Sequence, residues 1–311
     1  TTMLEQLGQA MPRTARLAST YAAFLNYAFN PARGRFRNFM GFDRRWMEEE
    51  GSDDSHGRAI WVLGALVHRS RRADLQFWAS ALFDRALPAL LETTSPRAWA
   101  FGLLGVCHYL RRLAGARPAS QARDLLTQKL LALHGAVASA DWDWFEDRLT
   151  YDNARLPQGL IASARSGGPP EALQVGLGAL SWLAGHHRAP SGCFRPIGCN
   201  GFYVREGVRA QFDQQPVEAQ AMVSACLEAY HASEDPAWLV EARRAFEWFL
   251  VGNDLGLELY DASSGGCRDG LQEDRINQNQ GAESTLAFLL SLAEMKLVES
   301  VLSHQRQVQA N

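Results

Sequence analysis

Helical periodicity runs through this chain from Leu17 to Leu302, and the helices alternate in character. Apolar residues spaced three and four apart mark helices over 17–28, 55–70, 73–92, 95–114, 119–138, 152–166, 170–184, 215–234, 236–252 and 281–302. Pro88 is expected to kink the third of these. No segment alternates apolar and polar residues as a strand would, apart from short runs inside loops. The 119–138 helix (Gln121, Arg123, Asp124, Gln128, Lys129) and the 236–252 helix (Glu241, Arg243, Arg244, Glu247) set a charged stripe opposite an apolar one, so each faces solvent on one side. The 55–70, 95–114, 215–234 and 281–302 helices are rich in Ala, Gly and apolar residues and are expected to be buried on most sides. Gly57, Gly64, Gly102, Gly105 and Gly159 permit close helix packing at some cost in helix propensity. An outer–inner alternation repeated about five times is the pattern of an all-α, (α/α)6-type toroid. The expected organisation is one domain over 1–311, with 1–14 as an N-terminal extension and the ring of hairpins incomplete.

The loops carry a second signal. Those over 29–54, 139–151, 185–214 and 253–280 are long, while Arg71-Arg72, Thr93-Thr94 and 167–169 are short connections expected in the reverse direction. Long irregular loops are commonly functional. With helices alternating in direction, the long loops gather at one end, beside the N-termini of the inner helices, where free N–H groups favour polar ligands.

Composition narrows the partners. The net charge is −3 and the basic residues are scattered, which argues against a nucleic-acid face. Five cysteines (Cys107, Cys193, Cys199, Cys226, Cys267) fit no disulfide framework, so reduced thiols in a cytoplasmic protein are expected. No apolar stretch is long enough to span a bilayer, and no signal peptide is evident. The chain opens at Thr1 without an initiator Met, which keeps open a fragment of something longer.

Polar and aromatic residues concentrate at the loop–helix junctions. At Ser52-Asp53-Asp54-Ser55-His56-Gly57-Arg58, Asp54 or Ser55 is expected to cap the helix, yet capping does not explain His56 and Arg58 one turn inside it. Between Asp141 and Gln158 stand Trp142, Trp144, Tyr151, Asp152 and Arg155; rings offer faces to sugar C–H groups and carboxylates bind hydroxyls, or else the tryptophans plug the core. Tyr203 precedes Phe212-Asp213-Gln214-Gln215-Pro216-Val217-Glu218, where Asp213 or Gln214 is expected to cap and Glu218 enters an Ala-rich helix that obliges it to find a partner or a ligand. Asn277-Gln278-Asn279-Gln280 lies just before Glu283; amides suit sugar hydroxyls but also satisfy loop backbone. His186-His187 and the cysteines match no metal-ligand spacing, and no phosphate-binding Gly-rich loop or nucleophile elbow is present, so no metal or cofactor is expected.

Asp54-Ser55-His56-Gly57-Arg58-Ala59, Leu149-Thr150-Tyr151-Asp152-Asn153-Ala154-Arg155-Leu156-Pro157, Phe212-Asp213-Gln214-Gln215-Pro216-Val217-Glu218-Ala219, Asn253-Asp254-Leu255-Gly256-Leu257 with Tyr260-Asp261, and Asn279-Gln280-Gly281-Ala282-Glu283-Ser284-Thr285 together resemble a bacterial family of the six-hairpin glycosidase-like superfamily. The likeness covers about residues 15 to 300. It implies a toroid and sugar chemistry, and some members are fused to a glycosyltransferase domain. This chain has no nucleotide-sugar-binding α/β domain, so a glycosyltransferase would be a partner rather than the chain itself.

On this reading an oligosaccharide or glycoside is the substrate and the leading expectation is a glycoside hydrolase. Its acid and base or nucleophile would come from Asp54, Asp152, Asp213, Glu218 and Glu283. His56, Arg58, Trp142, Trp144, Tyr151, Arg155, Tyr203, Gln214, Gln215, Asn279 and Gln280 would bind substrate. The acids are expected around one cleft rimmed by rings such as Trp144 and Tyr203. The alternatives are a noncatalytic carbohydrate-binding or scaffolding domain serving a glycosyltransferase, and a sugar epimerase or lyase using His56, Tyr151 or Tyr203.

Overall fold

The computed structural model describes residues 2–8 and 12–309, with side chains described to 303; the outer limits of the expected 1–311 domain and part of the 1–14 extension lie outside them. Among the described residues there are eleven helices: α1 (Thr2–Gln6), α2 (Pro12–Ala28), α3 (Asp53–Arg69), α4 (Ala73–Leu91), α5 (Pro96–Arg112), α6 (Arg117–Val137), α7 (Arg155–Arg165), α8 (Pro170–His186), α9 (Pro216–Ser233), α10 (Ala237–Glu247) and α11 (Ala282–Gln309). Each long loop carries at least part of a two-residue antiparallel pairing. These are β1 (Phe29–Asn30) with β2 (Arg35–Phe36), β3 (Arg148–Leu149) with β4 (Tyr203–Val204), β5 (Tyr260–Asp261) with β6 (Gly266–Cys267), and β7 (Gly270–Leu271) with β8 (Ile276–Asn277).

The boundaries follow local chemistry and correct several expectations. Ser52, not Asp54 or Ser55, caps α3: its backbone is extended and its Oγ accepts the Ser55 N–H at 3.2 Å. Asp152 and Asn153 precede α7 rather than opening it, because Asp152 adopts a left-handed backbone (φ 51°). α9 starts with Pro216 at its first turn, where a missing N–H costs nothing, but its N-cap Gln215 makes no side-chain capping bond. α10 stops at Glu247, and the Gly252 N–H folds back to the Glu247 carbonyl at 2.9 Å. α4 runs to Leu91 with Pro88 in its last turn.

The chain divides into two compact units, Thr1–Ala132 with Ala162–Leu173, and Leu133–Ile161 with Gln174–Asn311. In the first, α3 packs chiefly on α5 and α4. The α3–α5 contact is backbone to backbone: a Cβ on Gly64 would lie 2.0 Å from the Gly105 carbonyl oxygen, and one on Gly105 2.5 Å from that of Ile60. Around it Ile60, Leu63, Phe101, Leu103 and Val106 are fully buried. Trp61 stacks on Phe101, and Phe83 on Tyr109 with centroids 4.2 Å apart. The 93–95 connection, expected to run with the short reverse turns, is bound to the start of α3: Asp53 Oδ2 accepts the N–H groups of Thr94 and Ser95 at 3.0 and 3.3 Å. It therefore lies at the same end as the 29–52 loop.

In the second unit α9 is buried along most of its length and packs on α10 and α11, and the Arg155–Ile161 part of α7 is buried as well. Trp144, Phe145, Trp248 and Phe249 are completely enclosed, and Tyr260 stacks on Phe288 at 4.4 Å. Among the described residues no helix is long and apolar enough to cross a membrane.

Candidate functional site

The second unit holds a buried polar centre where α7, α9 and α11 supply side chains. Glu218, one turn into α9, is 3% exposed. Its carboxylate accepts the backbone N–H of Asp152, and the Asn153 side-chain amide at 3.0 Å. The left-handed turn at Asp152 aims consecutive backbone N–H groups at that carboxylate. Asp152 in turn accepts Arg155 Nε at 3.1 Å. The same guanidinium donates from Nη1 to Gln158 Oε1 at 2.7 Å and from Nη2 to Gln220 Oε1. Gln220 passes its amide N–H to Ser224 Oγ (2.8 Å), and Ser224 donates to Glu294 Oε2 on α11 (2.6 Å). Asp152, Arg155 and Glu218, three of the sequence-derived candidates, thus meet in one network. Asn153, Gln158, Gln220, Ser224 and Glu294 join it without having been singled out. A buried ionic network of this kind must be fully hydrogen-bonded to be tolerated.

Around it the third junction is largely occupied by structural bonds. Gln214 is wholly buried; its Oε1 accepts Trp248 Nε1 at 2.7 Å, and its Nε2 donates to the Gln211 carbonyl and to Asp254 Oδ2. Its backbone exchanges two 2.9 Å bonds with Leu271. Asp254 also receives a fork from Arg195, with Nε at 2.9 Å and Nη2 at 2.5 Å. Asp213 and Gln215, on either side of Gln214, stay half-buried.

The aromatic residues split into two groups. Trp144, expected on a rim, is fully enclosed, and Trp142 is 3% exposed with its Nε1 donating to the Glu146 carbonyl at 2.7 Å. They pack with Trp182 as a core cluster, the alternative weighed from the sequence. Tyr203 edges onto Trp142 (5.3 Å) from the β4 side and is half-buried; Tyr151 is exposed at 37%.

The amide run before α11 binds two loop aspartates. Gln280 donates to Asp261 Oδ2 (2.9 Å) and accepts Ser264 Oγ; Asn279 donates to Asp269. Hydrogen bonds from Ser263 and then Gln280 hold Asp261 well below the usual carboxylate range. Asp269 accepts the Gly281 N–H at 2.6 Å and anchors the entry to α11. Glu283, in the first turn of that helix, is exposed.

The first unit contributes the Asp54 junction. Asp54 is half-buried and accepts Ser95 Oγ at 2.9 Å. Arg58 lies over the Phe101 ring at 4.1 Å. His56 is wholly enclosed, with Nε2 3.1 Å from the Ala86 carbonyl and its ring against Phe36. Burial, then the Arg35 charge, pushes its pKa down to about 4. It is therefore neutral at neutral pH and donates to that carbonyl. The more connected residue is its neighbour Asp53, which also accepts Arg35 Nη2 at 2.6 Å. Among the described residues no three His, Cys, Asp or Glu side chains come together to hold a metal ion.

No family model and no curated protein sequence matches the chain. Solved structures do. A cellobiose 2-epimerase from Spirochaeta thermophila DSM 6192 superposes with a TM-score of 0.66 at 13% identity, over 97% of this chain and 84% of that one. A D-mannose isomerase gives 0.66 at 12% identity, over 96% and 84%. An unsaturated glucuronyl hydrolase specific for heparin gives 0.51 at 14% identity, over 73% of this chain and 64% of that one. At these identities the likeness is one of fold, and the fold of this chain is the (α/α)6 toroid.

Proposed function

We propose that this chain is a carbohydrate-active enzyme that epimerises or isomerises a saccharide at the loop-bearing ends of its inner helices. The observation that supports a site is the buried Asp152–Arg155–Gln220–Ser224 chain, which starts beside Glu218 near the entries to α7 and α9 and runs on to half-buried Glu294 in the body of α11. Apolar side chains of similar volume would pack these helices as well, so a polar centre of this size points to function. The sugar chemistry is supported by the epimerase and the isomerase, whose structures resemble this one over nearly the whole chain. Asp152 and Glu218 are bound to an arginine and to backbone N–H groups, which suits a frame for the substrate better than an acid–base pair across a glycosidic bond. The reaction would remove and return the proton beside the sugar carbonyl, leaving composition unchanged, with the phenols of Tyr151 and Tyr203 as the reachable groups of the kind required.

Glycoside hydrolysis is the second reading. It is favoured by Asp213 and Glu283, which stay accessible at the starts of α9 and α11. Incubating the protein in heavy water with a panel of aldoses, ketoses and disaccharides separates the two. Epimerisation or isomerisation yields a product of equal chain length carrying deuterium at the reacting carbon, whereas hydrolysis shortens the chain without such exchange. Saturable binding with no product would leave a carbohydrate-binding module, such as one serving a glycosyltransferase, and would sink both enzyme readings.

A further inference from the structure

The loop between α8 and α9 holds a cation, Arg209, that forms no ion pair with a carboxylate among the described residues. Arg209 is half-buried, and its hydrogen bond runs from Nη2 to the Arg195 carbonyl at 2.5 Å. Its Nε is enclosed with no acceptor. The carboxylate that acts on it most is Asp254, and that group is already committed to Arg195 through Nε and Nη2 and to Gln214 through Nε2. Asp254 is shared between Arg195 and Gln214, so it acts on Arg209 without a direct bond to it. Burial, and then the Arg195 charge, lowers its pKa to about 10, which still keeps it protonated at neutral pH.

A second polar group in the same cluster lacks partners. Arg195 donates its backbone N–H to the His187 carbonyl at 2.7 Å, so Arg195 touches both His187 and Arg209. The His187 ring is 1% exposed and stands edge-on to Phe194, and neither ring nitrogen has a hydrogen-bond partner. Buried polar atoms are nearly always satisfied, and those that are not ask for a bound water, ion or ligand. A guanidinium carries five N–H donors in a planar fork that matches phosphate and carboxylate oxygens, and a neutral imidazole adds one donor.

We propose that Arg209, backed by His187, is the core of a binding site for a small oxyanion, a phosphate or carboxylate group either free or borne on a sugar. The sugar-borne arm rests on the carbohydrate reading above; the oxyanion site itself does not. Tyr203 is the neighbouring ring, acting on Arg209 electrostatically while half-buried, and so links the site to the proposed sugar-facing surface.

The test is calorimetric titration of the full chain with inorganic phosphate, glucose 6-phosphate and glucuronate, each against chloride at matched ionic strength. One saturable site is expected in the wild type. Arg209→Gln should weaken it at least tenfold, and Arg209→Lys, which keeps the charge but loses the fork, at least threefold. Tighter binding of glucose 6-phosphate or glucuronate than of phosphate would assign the sugar-borne source; equal binding would assign the free anion. Absence of saturation in the wild type overturns the proposal. So does wild-type affinity in a folded Arg209→Gln protein or, should that variant not fold, in Arg209→Lys. None of these measurements needs turnover, so a failed activity screen leaves them intact.

Discussion

The carboxylate of Glu218 on α9 accepts the backbone N–H of Asp152, a residue 66 positions earlier that stands outside any helix. One side chain thereby fixes the left-handed turn before α7 and the orientation of Arg155 beyond it. Glu218→Gln replaces one accepting oxygen with an NH2 that faces other donors. It should cost about 2–3 kcal/mol, in the range for hydrogen bonds to a buried charged group. Urea denaturation reads this directly, and a loss within error of zero would remove Glu218 from the framework.

Gly64→Ala should destabilise strongly. Its Cβ would meet the Gly105 carbonyl oxygen at 2.0 Å, and backbone cannot rotate aside as a side chain can. The helices would have to separate, at a cost of about 2 kcal/mol or more. Thermal unfolding of G64A and of Gly135→Ala, whose Cβ meets nothing within 4 Å, gives the comparison. Equal melting temperatures would contradict the close α3–α5 contact.

Acid should unfold the protein partly through His56. Its folded pKa is depressed from 6.5 to about 4, so between those values the unfolded chain takes up a proton that the folded chain refuses. The neutral ring's contribution is whole above pH 6.5 and is lost as pH falls toward 4. A shift of that size amounts to about 3 kcal/mol. Denaturation of wild type and His56→Gln at pH 7 and pH 4 isolates it, because the other titrating groups are common to both. The two proteins should lie about 3 kcal/mol closer in stability at pH 4 than at pH 7, and parallel pH curves would refute the assignment.

Asp254→Asn should loosen the loops on either side of it. The substitution removes the charge that Arg195 grips and leaves that guanidinium unpaired. With Asp254 7% exposed, a loss of about 2–3 kcal/mol is expected, short of the full penalty for a deeply buried pair. Hydrogen exchange should rise first over 187–215 and 248–260. Unchanged protection there would show that Gln214 and Trp248 hold the segment without it.

The helices were legible in the sequence because their signal is local. Spacing of apolar residues placed each of the ten longer ones to within a few residues at most ends, and α9 and α5 are as buried as their low charge implied. Ends governed by distant partners were not legible: Asp152 reads as a helix start until Glu218 claims its N–H. The junction residues were found by their chemistry, but chemistry does not say which way a side chain spends its bonds. Gln214, Asn279 and Gln280 suit sugar hydroxyls and equally suit Trp248, Asp269 and Asp261, and the fold brings them those partners. Arg209 carries no sequence signal because a single arginine in a loop is unremarkable until the acid near it, Asp254, is seen to be held by Arg195 and Gln214.

Asp53 has a mechanical consequence. One carboxylate holds Arg35 from the hairpin of the first long loop with one oxygen and the entry to α5 with the other, while sitting in the first turn of α3. Three segments distant in the chain are therefore tied at a single knot. A displacement of the β1–β2 hairpin cannot be absorbed locally; it pulls on the first turn of α5, and a change felt at either place is delivered to the other.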